Sequence, residues 1–135
     1  MRVVRRILEL ETRQRSEMVD VTRELQVIAD EENVDEGRMT VYIPHTTAGI
    51  TINENADPDV AADMLEHLDR MIPWKGGWRH GEGNSAAHIK ATLVGNSATL
   101  SVEGGMLRLG TWQGVFFCEF DGPRRRKVWV ACELY

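Results

Sequence analysis

The chain has 135 residues, enough for one domain with its own core and no need of disulfides. Apolar residues at 42% and charged ones at 27% give the balance of a globular protein and exclude a disordered tail or a membrane span. With 16 Lys and Arg against 21 Asp and Glu the net charge is −5, which argues against a protein that coats nucleic acid and leaves room for a local basic pocket.

Residues 2–12 mix β-branched and charged side chains in partial alternation, which predicts an edge strand. The same N-terminus carries charges throughout and no apolar core of signal-peptide length, so a cytoplasmic protein is expected. Asp20 can cap a helix whose apolar positions are Val21, Leu25, Ile28 and Ala29. Acid from Asp30 to Glu36 opposes the helix dipole and predicts the end of that helix, with a solvated loop to Gly37. Met39–Pro44 and Ala48–Asn53 read as strands joined by His45, Thr46 and Thr47.

Asp57, Pro58 and Asp59 form a strong helix start. Val60, Ala61, Met64, Leu65, Leu68, Met71 and Ile72 then give one broad apolar face, stopped by Pro73. A Gly-rich loop over 74–83 leads to a second clear helix, from Asn84 or Ser85 to about Val94, ended by Gly95 and Asn96. Residues 98–102, 106–109, 111–120 and 125–134 read as consecutive strands. The expected fold is α+β: one domain over residues 1–135, a largely antiparallel sheet or sandwich with two to three helices. Cys118 and Cys132, inside strand-like segments, are expected as reduced core thiols, and Trp129 as a core residue.

Histidines carry most of the chemical signal. His67 lies at the edge of an apolar helix stripe and is set aside as a boundary residue. His45 and His80 fall in loops, and His88 shares a polar strip with Asn84, Ser85 and Thr92 along a short helix. Three imidazoles with an open position suit a catalytic divalent metal, Zn or Mg. They suit an anionic ligand held by hydrogen bonds equally well, and both readings stay open. H-E-x-x-H is absent, and His80-Gly81-Glu82 lacks the P-C-x-x-C half of a zinc deaminase.

Gly83, Asn84 and Ser85 open a helix from a Gly-rich turn, an arrangement that presents backbone N–H groups to phosphate or forms a plain capped loop. Glu54 is the acid that helix capping leaves unexplained and is a candidate base or metal ligand. Glu119 interrupts an apolar strand, which points to an edge position or an arginine partner among Arg124 to Arg126. One arginine turned inward to a phosphate fits the same run. Trp74, Trp78 and Trp112, in loop-like segments, can stack on a heteroaromatic ring or fill a subunit interface.

Four ordered motifs resemble the YjbQ-like family, also called the secondary thiamine-phosphate synthase family. They are His45-Thr46-Thr47-Ala48 leading to Asn53-Glu54-Asn55, the run from His80-Gly81-Glu82 to His88, Gly110-Thr111-Trp112-Gln113-Gly114, and Cys118-Glu119-Phe120-Asp121-Gly122-Pro123-Arg124. The resemblance spans essentially the whole chain. It implies a compact α+β fold, a homotrimer and a site of His45, His80 and His88 around a divalent metal or an anion. The family's named activity joins a hydroxymethylpyrimidine diphosphate to a thiazole phosphate and releases pyrophosphate, as a transferase.

On that chemistry the metal, the Gly83-Asn84-Ser85 helix start and Arg124 would take up the leaving pyrophosphate. Trp112 would stack on the pyrimidine, Gln113 would read a ring edge, and Glu54 would move a proton or hold the metal. Thr46, Thr47 and Glu119 complete the expected set around a small phosphorylated heteroaromatic substrate. Two alternatives use the same residues: a metal-dependent hydrolase of a small phosphate or amide, and a non-catalytic trimeric binder of a small anionic metabolite.

Overall fold

Inward and outward side chains alternate along most strands, and the computed structural model, which describes residues 1–135, shows where each set goes. The chain runs β1 (Arg2–Glu11), β2 (Glu17–Asp20), α1 (Thr22–Glu31), β3 (Gly37–Tyr42), β4 (Ala48–Glu54), α2 (Pro58–Met71) and α3 (Ser85–Val94). It ends with β5 (Ser97–Glu103), β6 (Met106–Leu107), β7 (Gln113–Glu119) and β8 (Arg125–Leu134). The expected α+β architecture is observed, with every strand pairing antiparallel. The short β2 carries no alternation that sequence reading detects.

The strands form two sheets, β1-β8-β3-β5-β6 and β2-β7-β4. Met39 and Val41 of β3, Leu100 and Val102 of β5, and Val128, Val130 and Cys132 of β8 face Ile50 of β4 and Val115 and Phe117 of β7. Leu25, Ile28 and Ala29 of α1 join this main core. Alternation along β7 sends Phe116 and Cys118 to the opposite face, where they meet Ala87 and Ala91 of α3 together with Phe120. The small sheet is thus covered on both faces, by the large sheet and by the α2–α3 layer. That explains why β7 reads as a continuous apolar run.

Helix α2 begins as expected: Asp57 accepts a hydrogen bond from the Asp59 N–H at 2.9 Å, and Pro58 occupies the first turn. Its apolar face is only half covered, and no residue of the helix is buried. Lys90 of α3 is 2% exposed, lies 5.9 Å from the centre of the Phe120 ring and pairs with Asp69 of α2. No helix is long and apolar enough to cross a membrane.

One expectation changes and another becomes specific. Trp129 is 50% exposed, because Val128 and Val130 take the inward positions of β8 and turn it to the outer face. There it stacks on Tyr42 with ring centres 5.7 Å apart, and Ile7 sits opposite it in register. The inward arginine is Arg126, which shares the parity of Val128 and is 4% exposed. Both cysteines are free and buried as expected, and burial pushes the Cys118 thiol up to about 12.

Candidate functional site

Three connections meet at one end of the sandwich. The β3–β4 connection crosses between the sheets and carries His45, Thr46 and Thr47; the α2–α3 loop carries His80 and Glu82; the β7–β8 turn carries Asp121 and Arg124. With Pro44 of the β3–β4 connection, Asn84 and His88 of the α3 layer and Arg126 at the start of β8, they line a cleft of about 420 Å³ whose side chains other than Pro44 are all polar or charged. A groove of mixed polarity, lined also by Ala48 and Ala91, continues past His45 and His88 along α3 to Thr92 and Asn96.

The floor is a buried polar network. Arg126 Nε donates to Glu119 Oε1 at 2.8 Å, and its Nη2 donates to Glu119 Oε2 and, at 2.9 Å, to Thr47 Oγ1. Thr12 Oγ1 donates to Glu119 Oε1 at 2.7 Å and the Asp121 N–H to Oε2 at 3.0 Å. Burial alone would raise the Glu119 carboxyl. The hydrogen bonds from Arg126, Thr12 and Asp121 outweigh it and hold Glu119 below the ordinary carboxylate range. Glu119 therefore works beneath the cleft, fixing Arg126, while Thr47 accepts from Arg126 at the cleft wall and ties in the β3–β4 connection.

His45 is tied by its ring. The Lys127 N–H donates to His45 Nε2 at 2.9 Å, so a neutral His45 carries its proton on Nδ1. Burial first, then the Arg126 guanidinium, hold His45 below the usual imidazole value. His80 and His88 meet edge to face with ring centres 5.8 Å apart. Glu82 Oε1 lies 3.9 Å from His80 Nε2.

Asn84 is the N-cap residue of α3 and makes no side-chain cap hydrogen bond. Its Nδ2 instead donates to Asp121 Oδ2 at 2.9 Å, while its Oδ1 is buried without a partner. Arg124 is half exposed and anchored to the same residue, Nε to the Asp121 carbonyl at 2.8 Å and Nη2 to Oδ2 at 3.0 Å. Gly83 holds a φ of +76°, and its N–H closes a turn on the His80 carbonyl. Gly83 and Ser85 shape the loop and the helix start without lining the cleft.

Glu54, Trp112 and Gln113 are not part of this site. Glu54 pairs with Gln113 at one end of the small sheet, and Glu119 stands at the other end of β7. Six steps of about 3.3 Å put the two ends roughly 20 Å apart. Arg126, Asp121 and Glu82 join the site beyond the residues expected from sequence. For Arg126 the readable signal is its parity with Val128, Val130 and Cys132.

A divalent metal at His45, His80 and His88 does not fit. No three His, Cys, Asp or Glu side chains come together so as to hold a metal ion. The physical reason is local: the Lys127 N–H already occupies the Nε2 lone pair of His45.

The fold and this cleft define an α+β sandwich protein with a polar, histidine-rich pocket. The chain belongs to the UPF0047 protein YjbQ-like family, whose model matches residues 6–133. It is 53% identical to the UPF0047 protein YugU of Bacillus subtilis, over 91% of this chain and 94% of that one. A UPF0047 protein of Methanocaldococcus jannaschii is 51% identical over 90% of this chain and 88% of its own. The crystal structure of an uncharacterized YjbQ/UPF0047 protein from Clostridium acetobutylicum superposes with a TM-score of 0.92 at 51% identity, covering 94% of this chain and 98% of that one. A YbjQ-like protein of unknown function from Sulfolobus solfataricus gives 0.94 at 28% identity, covering 99% of each chain.

These findings overturn the thiamine-phosphate synthase expectation. The relatives are named only as UPF0047 proteins, one solved relative is described as of unknown function, and no transferase activity is indicated. The metal-dependent hydrolase alternative fails with the metal site.

Proposed function

We propose that the cleft binds a small phosphorylated molecule, with His80, His88 and Arg124 around the phosphoryl group. The observation that carries this reading is the convergence of two histidines and Arg124 on one cleft. Asn84 leaves the first N–H groups of the helix without a side-chain acceptor and turns its amide to Asp121, beside both histidines and Arg124. The helix start behind Asn84 adds partial positive charge close to the cleft. Arginine adds planar, directional donors, and a lining that is polar apart from Pro44 keeps the ligand's charge solvated by the protein.

Calorimetric titration with inorganic phosphate tests the reading. Saturable binding that is lost in folded His88→Ala and weakened in Arg124→Ala is the expected result. No measurable binding by the wild-type protein at millimolar phosphate rejects it.

The reading includes a homotrimer in the cytoplasm. Self-association has its support in the apolar row of Ile7, Trp129 and Tyr42 on the outer face of the large sheet, beside a depression of about 450 Å³. The compartment has its support in two thiols that remain unpaired.

A further inference from the structure

We infer that the cleft selects an oxyanion that still carries a proton, with Asp121 as the acceptor that recognises it and Asn84 holding Asp121 in place. This rests on the phosphate reading above and adds a rule about which oxyanion is taken. A site built only to attract negative charge would present donors alone. Here the donors of His80, His88 and Arg124 share the cleft with two carboxylates, the exposed Glu82 and the largely buried Asp121. Both hydrogen bonds to the Asp121 side chain, from Asn84 Nδ2 and Arg124 Nη2, arrive at Oδ2, which leaves Oδ1 as an acceptor.

The orientation of Asn84 is fixed by the same contact. An ionised carboxylate only accepts, so the Asn84 NH₂ must face Asp121, and a flipped amide would set oxygen against oxygen. Asn84 Oδ1 is therefore an acceptor by necessity. It is 93% buried with its residue and has no partner in the chain, whereas buried polar atoms are normally paired. A carboxylate oxygen in the cleft, with the unpaired amide oxygen of Asn84 buried behind it, repels a fully deprotonated tetrahedral dianion. Asp121 Oδ1 accepts the O–H of a hydrogenphosphate or of a singly ionised phosphate ester.

Inorganic phosphate and sulfate provide the test, because at about pH 8 both are tetrahedral dianions and only phosphate keeps an O–H. A hydrogen bond to a charged group, made by one ion and replaced by repulsion for the other, predicts about ten- to a hundred-fold tighter binding of phosphate. Asp121→Asn removes the charge and offers an N–H in its place, and should bring the two affinities within about threefold. Sulfate binding as tightly as phosphate to the wild type would overturn the selection rule while leaving the phosphate site standing. A preference that persists unchanged in folded Asp121→Asn also overturns it. Should that variant not fold, the wild-type ratio decides alone. If neither ion binds, the phosphate reading falls and the rule with it.

Discussion

Arg126 of the five-stranded sheet and Glu119 of the three-stranded sheet form the one ion pair in which both partners are buried, and they join the two sheets beneath the cleft. The Coulomb gain of such a pair is offset largely by desolvation, so its value lies in position: Glu119 holds Arg126, and Arg126 holds the Thr47 hydroxyl at the β3–β4 crossing. Removing one partner leaves an uncompensated buried charge. Arg126→Met and Glu119→Leu should each destabilise the protein by about 3–5 kcal/mol in urea unfolding. The double replacement should recover most of that loss. Single variants within about 1 kcal/mol of wild type would show that the pair does not hold the sheets.

The pair between Lys90 and Asp69 is asymmetric, and its two halves should respond differently. Lys90 is buried while Asp69 is 58% exposed, so Lys90→Met removes a desolvated ammonium and lets Asp69 return to water. We expect Lys90→Met to lie within about 1 kcal/mol of wild type and Asp69→Ala to cost about 3 kcal/mol by stranding the ammonium. Equal losses in thermal or urea unfolding would contradict this account.

Acid should weaken the protein in two steps. His45 titrates below its ordinary value of 6.5, so the unfolded chain takes up that proton first. Its contribution to stability is complete above about 6.5 and is lost as the pH falls from there through the folded value. Glu119, also lowered, contributes fully above its ordinary 4.5 and loses that contribution as the pH falls through its folded value. A urea midpoint measured against pH should show both declines, and His45→Gln should remove only the upper one. A midpoint that stays level between pH 7 and the carboxylate range would remove His45 from this role.

The exposed row on the large sheet gives a test of assembly. Trp129→Glu places a charge between Ile7 and Tyr42 on a face that the folded monomer leaves open. Stability of the monomer should change by only about 0.5 kcal/mol, as for other surface positions. Sedimentation should show a wild-type oligomer converted to monomer. A wild-type protein that is monomeric at high micromolar concentration would reject the assembly.

Much of the fold is legible because local rules act locally. Asp57-Pro58 fixes the start of α2, Pro73 follows its end, and the register of the long strands follows from alternation. The parity of β8 also contained the answers for Trp129 and Arg126. Residue type pulls the large aromatic to the core and the arginine to the surface, whereas position along the strand does the reverse. The site is legible in part. His80, Asn84 and His88 come from one short segment, so their spacing brings them together. The bond from the Lys127 N–H to His45 spans 82 residues and has no sequence signature. Glu54, Trp112 and Gln113 have the residue types of a site, yet the length of β7 carries them to its far end.

The cleft takes its walls from connections that belong to all three layers of the sandwich. Whatever fills it is a non-covalent clasp across the large sheet, the small sheet and the helices. Occupancy would then be felt as resistance to opening of the whole body, and ligand at a hundred times its dissociation constant adds about 2.7 kcal/mol to folding. A thermal-shift screen of small molecules would read the identity of the ligand from the stability of the fold.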